Sequence, residues 1–217
     1  MVELPLFPLQ TVLFPGAPIR LHIFEERYKQ MINLCIERKL PFGVVLIRHG
    51  AEALGPLAEP YLVGTMARIF QVERLPDGRI NIAAVGFQRF RILSLEPDLQ
   101  SYLVGYVEPF PLTTGDQALI EQQATKLKSQ VNRYIRTLAE VGAVQFDPIQ
   151  LPEDPVNLAY IAASILQTSE IEKQDLLSTE MAEDLYGAIL LDYQREIALL
   201  KVFTAKGQDG QGVFSKN

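Results

Sequence analysis

The pattern of apolar and polar positions predicts a long β-hairpin near the middle of the chain. Between residues 64 and 93 two alternating stretches are separated by Pro76-Asp77-Gly78. Pro76 favours a turn conformation and Gly78 tolerates a positive φ, so the chain can reverse direction here at little steric cost. Gly86 interrupts the second stretch, where we expect a bulge or a bend that curves the sheet.

The residues before this hairpin predict strands and one helix. Four prolines divide residues 1–24 into short apolar runs, which indicates short strands broken by turns and not one continuous strand. Apolar positions then recur at helical spacing from Phe24 through Tyr28 to Cys35, and Pro41 ends this helix. The runs at 42–47 and 102–107 predict further strands. The strand spacing suits a small closed or half-closed barrel.

The apolar spacing changes after residue 112 to intervals of three and four, which predicts helices. The first helix is expected to cover roughly 25 residues before Gly142. Asp154-Pro155 favours a second helix start, and Ser169 with Glu172 has the spacing of a capping box for a third. Thr179 can cap the fourth.

We therefore predict an α+β fold with two domains and a tail. A β domain is expected at residues 1–112, a four-helix C-terminal domain at 113–206, and a flexible glycine-rich tail at 207–217.

Composition and charge narrow the possible partners. The 217-residue chain has a formal net charge of −6, which argues against a protein that binds nucleic acid mainly through phosphates. Cys35 is the only cysteine, so an intrachain disulfide is excluded. The sequence lacks a signal-peptide pattern and an apolar run of about 18 residues, so we expect a cytoplasmic protein that does not span a membrane.

The sequence contains no pattern of catalytic residues. His22 and His49 are the only histidines, and neither has the neighbours of an HxH or HExxH metal site. Phosphate-binding glycine loops and a G-x-S-x-G elbow are absent as well. No catalytic, metal-binding or cofactor-binding residue is predicted, and an enzymatic or small-molecule role in a barrel pocket has no titratable cluster to support it.

Two side-chain groups remain as candidates for binding. Phenylalanines concentrate in the β half, and those left exposed between proline-rich strands would form an apolar groove for an extended peptide. Arginines concentrate on the hairpin, where they are expected to lie on a solvated sheet face or to contact RNA or an acidic peptide. These arginines are Arg68, Arg74, Arg89 and Arg91.

Several short motifs, in order along the chain, resemble the Lon N-terminal (substrate-binding) domain family. The match begins with Leu4-Pro5-Leu6-Phe7-Pro8-Leu9, Val12-Leu13-Phe14-Pro15-Gly16 and Leu21-His22-Ile23-Phe24-Glu25-Glu26-Arg27-Tyr28. It continues with Val63-Gly64-Thr65-Met66-Ala67-Arg68-Ile69, Leu75-Pro76-Asp77-Gly78, Val85-Gly86-Phe87-Gln88-Arg89-Phe90, Asp154-Pro155 and Lys173-Gln174-Asp175-Leu176-Leu177. The order of these pieces across almost the whole chain makes the resemblance specific. Glu26 departs from the proline that related chains often carry there.

The resemblance implies a PUA-like β-barrel with one helix, followed by a C-terminal helical bundle. Lon proteases add an ATPase module with a Walker A loop and a peptidase module with a Ser-Lys dyad, and neither is found in this sequence. The resemblance therefore implies a stand-alone, non-enzymatic module that recognises substrates. Its expected partners are unfolded or partly unfolded proteins and peptides, and a separate protease or further copies of itself. RNA binding through the hairpin arginines is the alternative.

For the peptide-binding surface we select five residues, Phe14, Pro15, Phe24, Tyr28 and Phe87. The alternative location for each of them is the core. The hairpin itself is interpreted as the scaffold beside which this surface lies.

Overall fold

The structure, a computed structural model, describes residues 1–52, 57–96, 99–140, 142 and 150–209. Within these ranges the chain is mixed α and β, with strands in its first part and helices mainly in its second. The strands are β1 (Val2–Leu9), β2 (Pro18–Ile23), β3 (Phe42–His49), β4 (Glu59–Pro60), β5 (Val63–Arg74), β6 (Ile80–Glu96) and β7 (Val104–Pro109). The helices are α1 (Glu26–Arg38), α2 (Gln117–Glu140), α3 (Pro155–Ile165), α4 (Glu170–Ser178) and α5 (Ala182–Asp209).

The predicted hairpin is confirmed as β5 and β6. Gly78 has a φ of 81° and donates its backbone N–H to the Leu75 carbonyl over 3.0 Å, which closes the turn. The predicted irregularity near Gly86 is also present, since Met66 pairs with Gln88 while the next residue of β5, Ala67, pairs with Gly86. This shift is a bulge in the longest strand of the sheet.

The prediction that residues 1–24 form short strands and not one continuous strand is confirmed, since the turn after Leu9 separates β2 from β1. β1 runs through both Pro5 and Pro8. Its first half, residues 2–5, pairs antiparallel with β7, and its second half, residues 6–9, pairs parallel with β3. Each proline thus has a ladder partner on one side, and its missing N–H falls where no strand hydrogen bond is required.

The strands form one principal sheet with the order β1-β7-β6-β5-β3-β4. β1, the first strand in this order, also pairs with β3. Each of the strands β1, β7, β6, β5 and β3 therefore pairs with at least two others of this set. β2 lies outside this path and pairs with the first part of β6 only. The core between the strands consists of large aliphatic and aromatic side chains, among them Leu4, Leu6, Val45, Met66, Phe90, Ile92, Leu103 and Val107.

Local sequence signals define the helix ends. Asp154 caps α3 by accepting the N–H of Asn157, and Ser169 forms the predicted capping box with Glu172 at the start of α4. The sequence predicts Thr179 as the cap of α5, but in the structure Thr179 ends α4. Its backbone N–H donates to the Leu176 carbonyl.

The helix α5 is longer at its C-terminal end than the sequence indicates. The predicted tail begins at residue 207, whereas α5 continues through Asp209. The rest of that tail, 210–217, lies outside the described residues.

The chain divides into two compact units. The strand unit contains residues 1–113 and 168–180, and therefore includes α4. The helical unit contains residues 114–167 and the chain from 181 onward. The predicted boundaries at 112 and 206 differ from this division. They group α4 with the other helices, which are its neighbours in the sequence, whereas α4 belongs to the strand unit.

Four hydrogen bonds connect α4 and Thr179 to the rest of the strand unit, and one of them runs from Arg89 to the Leu177 carbonyl. Glu170 accepts the backbone N–H of Val12 over 2.6 Å, and the Gln174 amide donates to the Val63 carbonyl over 3.0 Å. Arg89 of β6 donates to the Thr179 carbonyl just beyond the end of α4. These contacts explain why a helix that lies far along the sequence belongs to the strand unit.

Within the helical unit, buried tyrosines connect the helices. The rings of Tyr134 on α2 and Tyr193 on α5 meet edge to face at 5.2 Å. The Tyr193 hydroxyl donates to the Ala162 carbonyl of α3, and the Tyr186 hydroxyl donates to Pro155, each over 2.8 Å. Burial raises the pKa of Tyr193, so the phenol stays protonated and remains a donor.

Candidate peptide-binding surface

The five residues predicted for the binding surface occupy two kinds of position. Phe14, Pro15 and Tyr28 are buried. Phe24 and Phe87 remain 47% and 37% exposed. Only these two are accessible to a partner in this structure, and the other three contribute to the core, which was the alternative location for all five.

Tyr28 anchors α1 on the strands. Its ring stacks on that of Phe7 with 4.2 Å between centroids, and the guanidinium of Arg27 lies 4.8 Å from the same ring. Burial raises the pKa of Tyr28, and the positive charge of Arg27 offsets part of this rise. With Met31, Ile32 and Cys35, Tyr28 confirms the predicted apolar face of this helix, whereas Phe24 precedes the helix and is exposed.

The second half of β5 has a partner strand on one side only. β3 pairs with β5 through Ala67, and from Arg68 to Arg74 the described strands leave only β6 beside it. We call this unpaired side, residues 68–74, the β5 edge. Phe70 is the extra residue of a bulge there, because Ile69 pairs with Ala84 and Gln71 with Ala83. Its side chain is 62% exposed.

A groove of about 360 Å³ lies between the β5 edge and the end of α1. We call it the β5 groove. Its lining comprises Cys35, Ile36, Lys39 and Leu40 from α1 and the residues that follow it, and Arg68, Ile69, Phe70 and Val72 from β5. Most of these side chains are apolar, and the two charged ones, Lys39 and Arg68, are cations. Arg68 also stacks on Phe87 at 4.7 Å, so this exposed aromatic lies next to the β5 groove.

A second groove, of about 260 Å³, lies on the β2 side of α1. We call it the β2 groove. Phe7, Tyr28 and the exposed Phe24 supply its aromatic part. Its charged lining is mixed, since Arg20 lies there together with the carboxylates of Glu25 and Glu52. The two exposed aromatics that the sequence selected therefore belong to different places on the strand unit.

One face of the β2-β6-β5 strands carries polar side chains that hydrogen-bond one another. His22 Nδ1 and Asn81 Oδ1 lie 2.7 Å apart, and the Asn81 amide donates to Glu73 over 2.9 Å. At the adjacent turn the hydrogen-bonded guanidinium of Arg79 lowers the pKa of Asp77. These polar side chains form hydrogen bonds with one another across three strands, which is typical of a solvated sheet face.

The predicted arginine cluster is not formed. Arg89 is 2% exposed, with its guanidinium 4.6 Å from the Phe110 ring and hydrogen-bonded near the end of α4. Arg91 forms an ion pair with Glu180 over 2.6 Å. Arg68 and Arg74 pair with the opposite half of β6, so the four side chains are spread along the hairpin and do not present one basic surface.

Several carboxylates that adjoin another carboxylate in the sequence have structural partners. Glu25 pairs with Arg27, Glu153 pairs with Lys128, and Asp154 caps α3. Glu183 accepts the backbone N–H groups of Gly115 and Asp116, and backbone hydrogen bonds lower the pKa of its carboxyl. These contacts assign the carboxylates to helix ends and ion pairs.

Two further kinds of feature are absent from the residues that the structure describes. No group of three or more His, Cys, Asp or Glu side chains is placed there to hold a metal ion. None of the described helices is both long enough and apolar enough to cross a membrane.

Sequence reasoning missed the exposed apolar residues of the β5 groove. The alternation between residues 64 and 93 predicts a strand that contains Phe70 and Val72 but does not predict their exposure, and the sequence analysis makes no prediction for Leu40. A signal was present in the run from Phe70 to Arg74, where apolar and polar residues alternate toward the turn. Which side of that strand lacks a partner depends on β3, and the sequence of the hairpin does not contain that information.

Curated Lon proteases are similar to this chain along most of its length. It is 25% identical to the Lon protease of Anaeromyxobacter dehalogenans over 215 residues, which cover 98% of this chain and 25% of that protein. It is 29% identical to Lon protease 2 of Desulfotalea psychrophila over 201 residues, which cover 91% of this chain and 26% of that protein. The chain thus spans about a quarter of the length of these relatives.

Solved structures show the same fold. A Lon N-terminal domain protein from Xanthomonas campestris is 27% identical and superimposes with a TM-score of 0.62, covering 88% of this chain and 98% of that one. The N-terminal domain of a Mycobacterium avium complex Lon protease, at 16% identity, gives a TM-score of 0.65 and covers 89% and 98% of the two chains. The latter identity supports the fold alone.

A family model matches most of the chain. It describes the substrate-binding domain of the ATP-dependent protease La (LON), and the match covers residues 3–190. This range includes every described strand, the helices α1 to α4 and the first part of α5. The chain belongs to the Lon substrate-binding domain family.

Proposed function

We propose that this chain is a non-catalytic substrate-recognition module that binds unfolded or apolar segments of other proteins. The observation that carries the proposal is the β5 groove, where Phe70, Val72 and Leu40 are all exposed beside an unpaired strand edge. An apolar surface of this kind suits segments that folded proteins keep in their interior. Membership of a family of substrate-binding domains points to the same role.

The scaffold for this surface is, in our proposal, the PUA-like barrel that the resemblance implies. The pairing of β1 with both β7 and β3 supports this, because it connects the two ends of the path through β6 and β5. A sheet with few unpaired strand edges is rigid, so the side chains at its rim are already positioned to contact a partner. The β5 edge is the part of this rim that stays unpaired.

The segments bound would be substrates of proteolysis. The relatives named above are Lon proteases, and this chain corresponds to about a quarter of each. We propose that bound segments pass to a protease, and that the chain itself carries no catalytic step. In support of this, the thiol of Cys35 is buried and its pKa is raised, and Glu25, Glu153 and Asp154 have partners in ion pairs or a helix cap.

The alternative, RNA binding through the hairpin arginines, has no support in the arrangement of those side chains. Arg89 is buried, Arg91 is paired with Glu180, and the chain has a net charge of −6. A phosphate backbone requires several accessible cations on one surface.

The proposal is tested by binding to a protein that is held unfolded. A fluorescent, reduced and alkylated model protein should bind with a Kd of about 1–100 μM, while the same protein in its native form should not bind. The variant Phe70→Ser combined with Val72→Thr should weaken binding at least about fivefold. Leu191→Ser on α5 is the matched control, since it also removes an exposed apolar side chain but should leave binding unchanged. Absence of binding at about 100 μM, or equal binding of the native form, would overturn the proposal.

A further inference from the structure

We propose that the β5 edge binds an extended segment as an added strand, and that this segment carries acidic residues next to its apolar ones. This inference rests on the proposed function and specifies its ligand: apolar side chains in the β5 groove, and carboxylates that pair with Lys39 and Arg68. The occupant is thus an extended part of another protein with a defined charge.

The unpaired backbone of the β5 edge supports strand addition. From Arg68 to Arg74 the N–H and C=O groups on the side away from β6 have no neighbouring strand among the described residues. Gln71 to Arg74 pair with β6 without a register shift, so this part of the edge is a regular template. An added strand forms main-chain hydrogen bonds with any sequence, which suits a module that accepts many unfolded proteins.

The β5 edge exposes apolar side chains in addition to the charged Arg68, Glu73 and Arg74. Sheets normally shield a free edge with charges, prolines or a covering element. Here Phe70 and Val72 are exposed, and α1 leaves a groove of about 360 Å³ beside them instead of covering them. Such a volume lies within the range of about 300–1,000 Å³ found for ligand sites.

The charges of the β5 groove select the ligand. Lys39 and Arg68 are both exposed, and neither has a carboxylate partner in the part of the chain that the structure describes. No Asp or Glu belongs to the described lining of this groove, although the chain as a whole is acidic. In contrast, the β2 groove contains Glu25 and Glu52 beside Arg20. Complementary charge therefore directs an acidic segment to the β5 groove.

The first experiment compares short fluorescent peptides that share one apolar core and differ in the charged residues on either side of it. The peptide with aspartate flanks should bind more tightly than the one with lysine flanks, by about two- to fivefold for each pair with Lys39 or Arg68. The double variant Lys39→Glu, Arg68→Glu should reverse this preference. Lys126→Glu combined with Lys201→Glu, two exposed lysines of the helical unit, changes the net charge equally and should preserve it. An unchanged preference in the groove variant would overturn the inference.

The second experiment tests the added strand. N-methylation of alternate peptide residues removes the N–H groups along one side of an extended strand only. One of the two complementary methylated peptides should lose binding, because its blocked side faces β5, and the other should retain it. Equal binding of both would overturn strand addition, since contacts through side chains alone do not distinguish the two sides.

The third experiment locates the site. Phe70→Ser and Phe24→Ser remove equivalent exposed aromatics from the β5 and β2 grooves, and we expect only the first to weaken the acidic peptide. If only Phe24→Ser weakens it, the β5 assignment is overturned. The same holds if sedimentation shows a dimer that Phe70→Ser dissociates and the peptide does not, because the edge would then be occupied by a second copy. Where the unfolded model protein binds but none of these changes matters, this inference fails while the proposed function stands.

Discussion

Arg89 donates a hydrogen bond of 2.7 Å to the carbonyl oxygen of Thr179, ninety positions further along the chain. A second bond, of 2.5 Å, connects the same guanidinium with the Leu177 carbonyl. The last carbonyl oxygens of a helix have no N–H donor within the helix, so the buried guanidinium of Arg89 supplies the missing donors. The contact joins the centre of β6 to the end of α4 and makes α4 part of the strand unit.

Replacement of Arg89 by methionine should therefore destabilise the strand unit by about 2–4 kcal/mol, because the buried Leu177 carbonyl and the partly buried Thr179 carbonyl lose their donor. The measurement is the free energy of unfolding in urea. Arg91→Met is the control, since the pair of Arg91 with Glu180 is exposed and should contribute less than about 1 kcal/mol. Equal losses in the two variants would contradict the role assigned to Arg89.

A methyl group at Gly86 should also be costly. A Cβ added there would lie 2.6 Å from the Phe14 carbonyl oxygen and 2.9 Å from a methyl carbon of Thr65. Since one of these atoms belongs to the backbone, Gly86→Ala should destabilise the chain by about 1–3 kcal/mol in urea unfolding. Gly187→Ala on α5, where nothing lies within 4 Å of the added carbon, should instead stabilise it by about 0.5–1 kcal/mol. A loss at Gly187 equal to that at Gly86 would refute the packing argument.

The thiol of Cys35 should react slowly. Burial raises its pKa from 9.0 to about 11, so its thiolate fraction near pH 8 falls about a hundredfold. Alkylation by iodoacetamide, followed by mass spectrometry, should be at least that much slower in buffer than for the same chain in concentrated urea. Comparable rates in the two solvents would show that Cys35 is accessible in the folded protein.

Loss of the Tyr193 hydroxyl should destabilise the helical unit. Tyr193→Phe leaves the Ala162 carbonyl without its donor at 2.8 Å, which should cost about 1–2 kcal/mol in thermal or urea unfolding. Tyr61→Phe is a suitable control, because the Tyr61 hydroxyl has no hydrogen bond to another described side chain or backbone group. If both variants unfold at the wild-type denaturant concentration, the Tyr193 bond is not a source of stability.

Stability should decrease in alkaline solution. Burial raises the pKa of Tyr134, Tyr186 and Tyr193 above the ordinary value of 10.0, so the folded chain holds protons that the unfolded chain releases. The stabilisation is complete below about pH 10 and is lost as the pH rises from there toward the folded pKa values. Tyrosinate absorbance should therefore appear together with the loss of helical circular dichroism. Full ionisation of the tyrosines while the helices remain intact would contradict this.

Signals that depend on a few neighbouring residues were readable from the sequence. Gly78 closes the predicted turn, Asp154 caps α3, and Ser169 forms its capping box, because each requires only residues within three or four positions. The placement of Arg89 required α4, which lies ninety residues away, and alternation along β6 gave no indication of that helix. The three exposed phenylalanines among the described residues were predicted in part: Phe24 and Phe87 were selected, while Phe70 was not, since its exposure depends on where β3 ends.

The inclusion of α4 in the strand unit also affects how the protein is made. Residues 1–113 leave the ribosome about 70 residues before the end of α4, a delay of roughly 3–14 s at 5–20 residues per second. During that interval Arg89 has none of its α4 acceptors, and the surface that α4 later covers is open to water. The first part of the chain therefore completes its fold only after the helices α2 and α3 have been synthesised, so the nascent protein itself exposes apolar segments before it is finished.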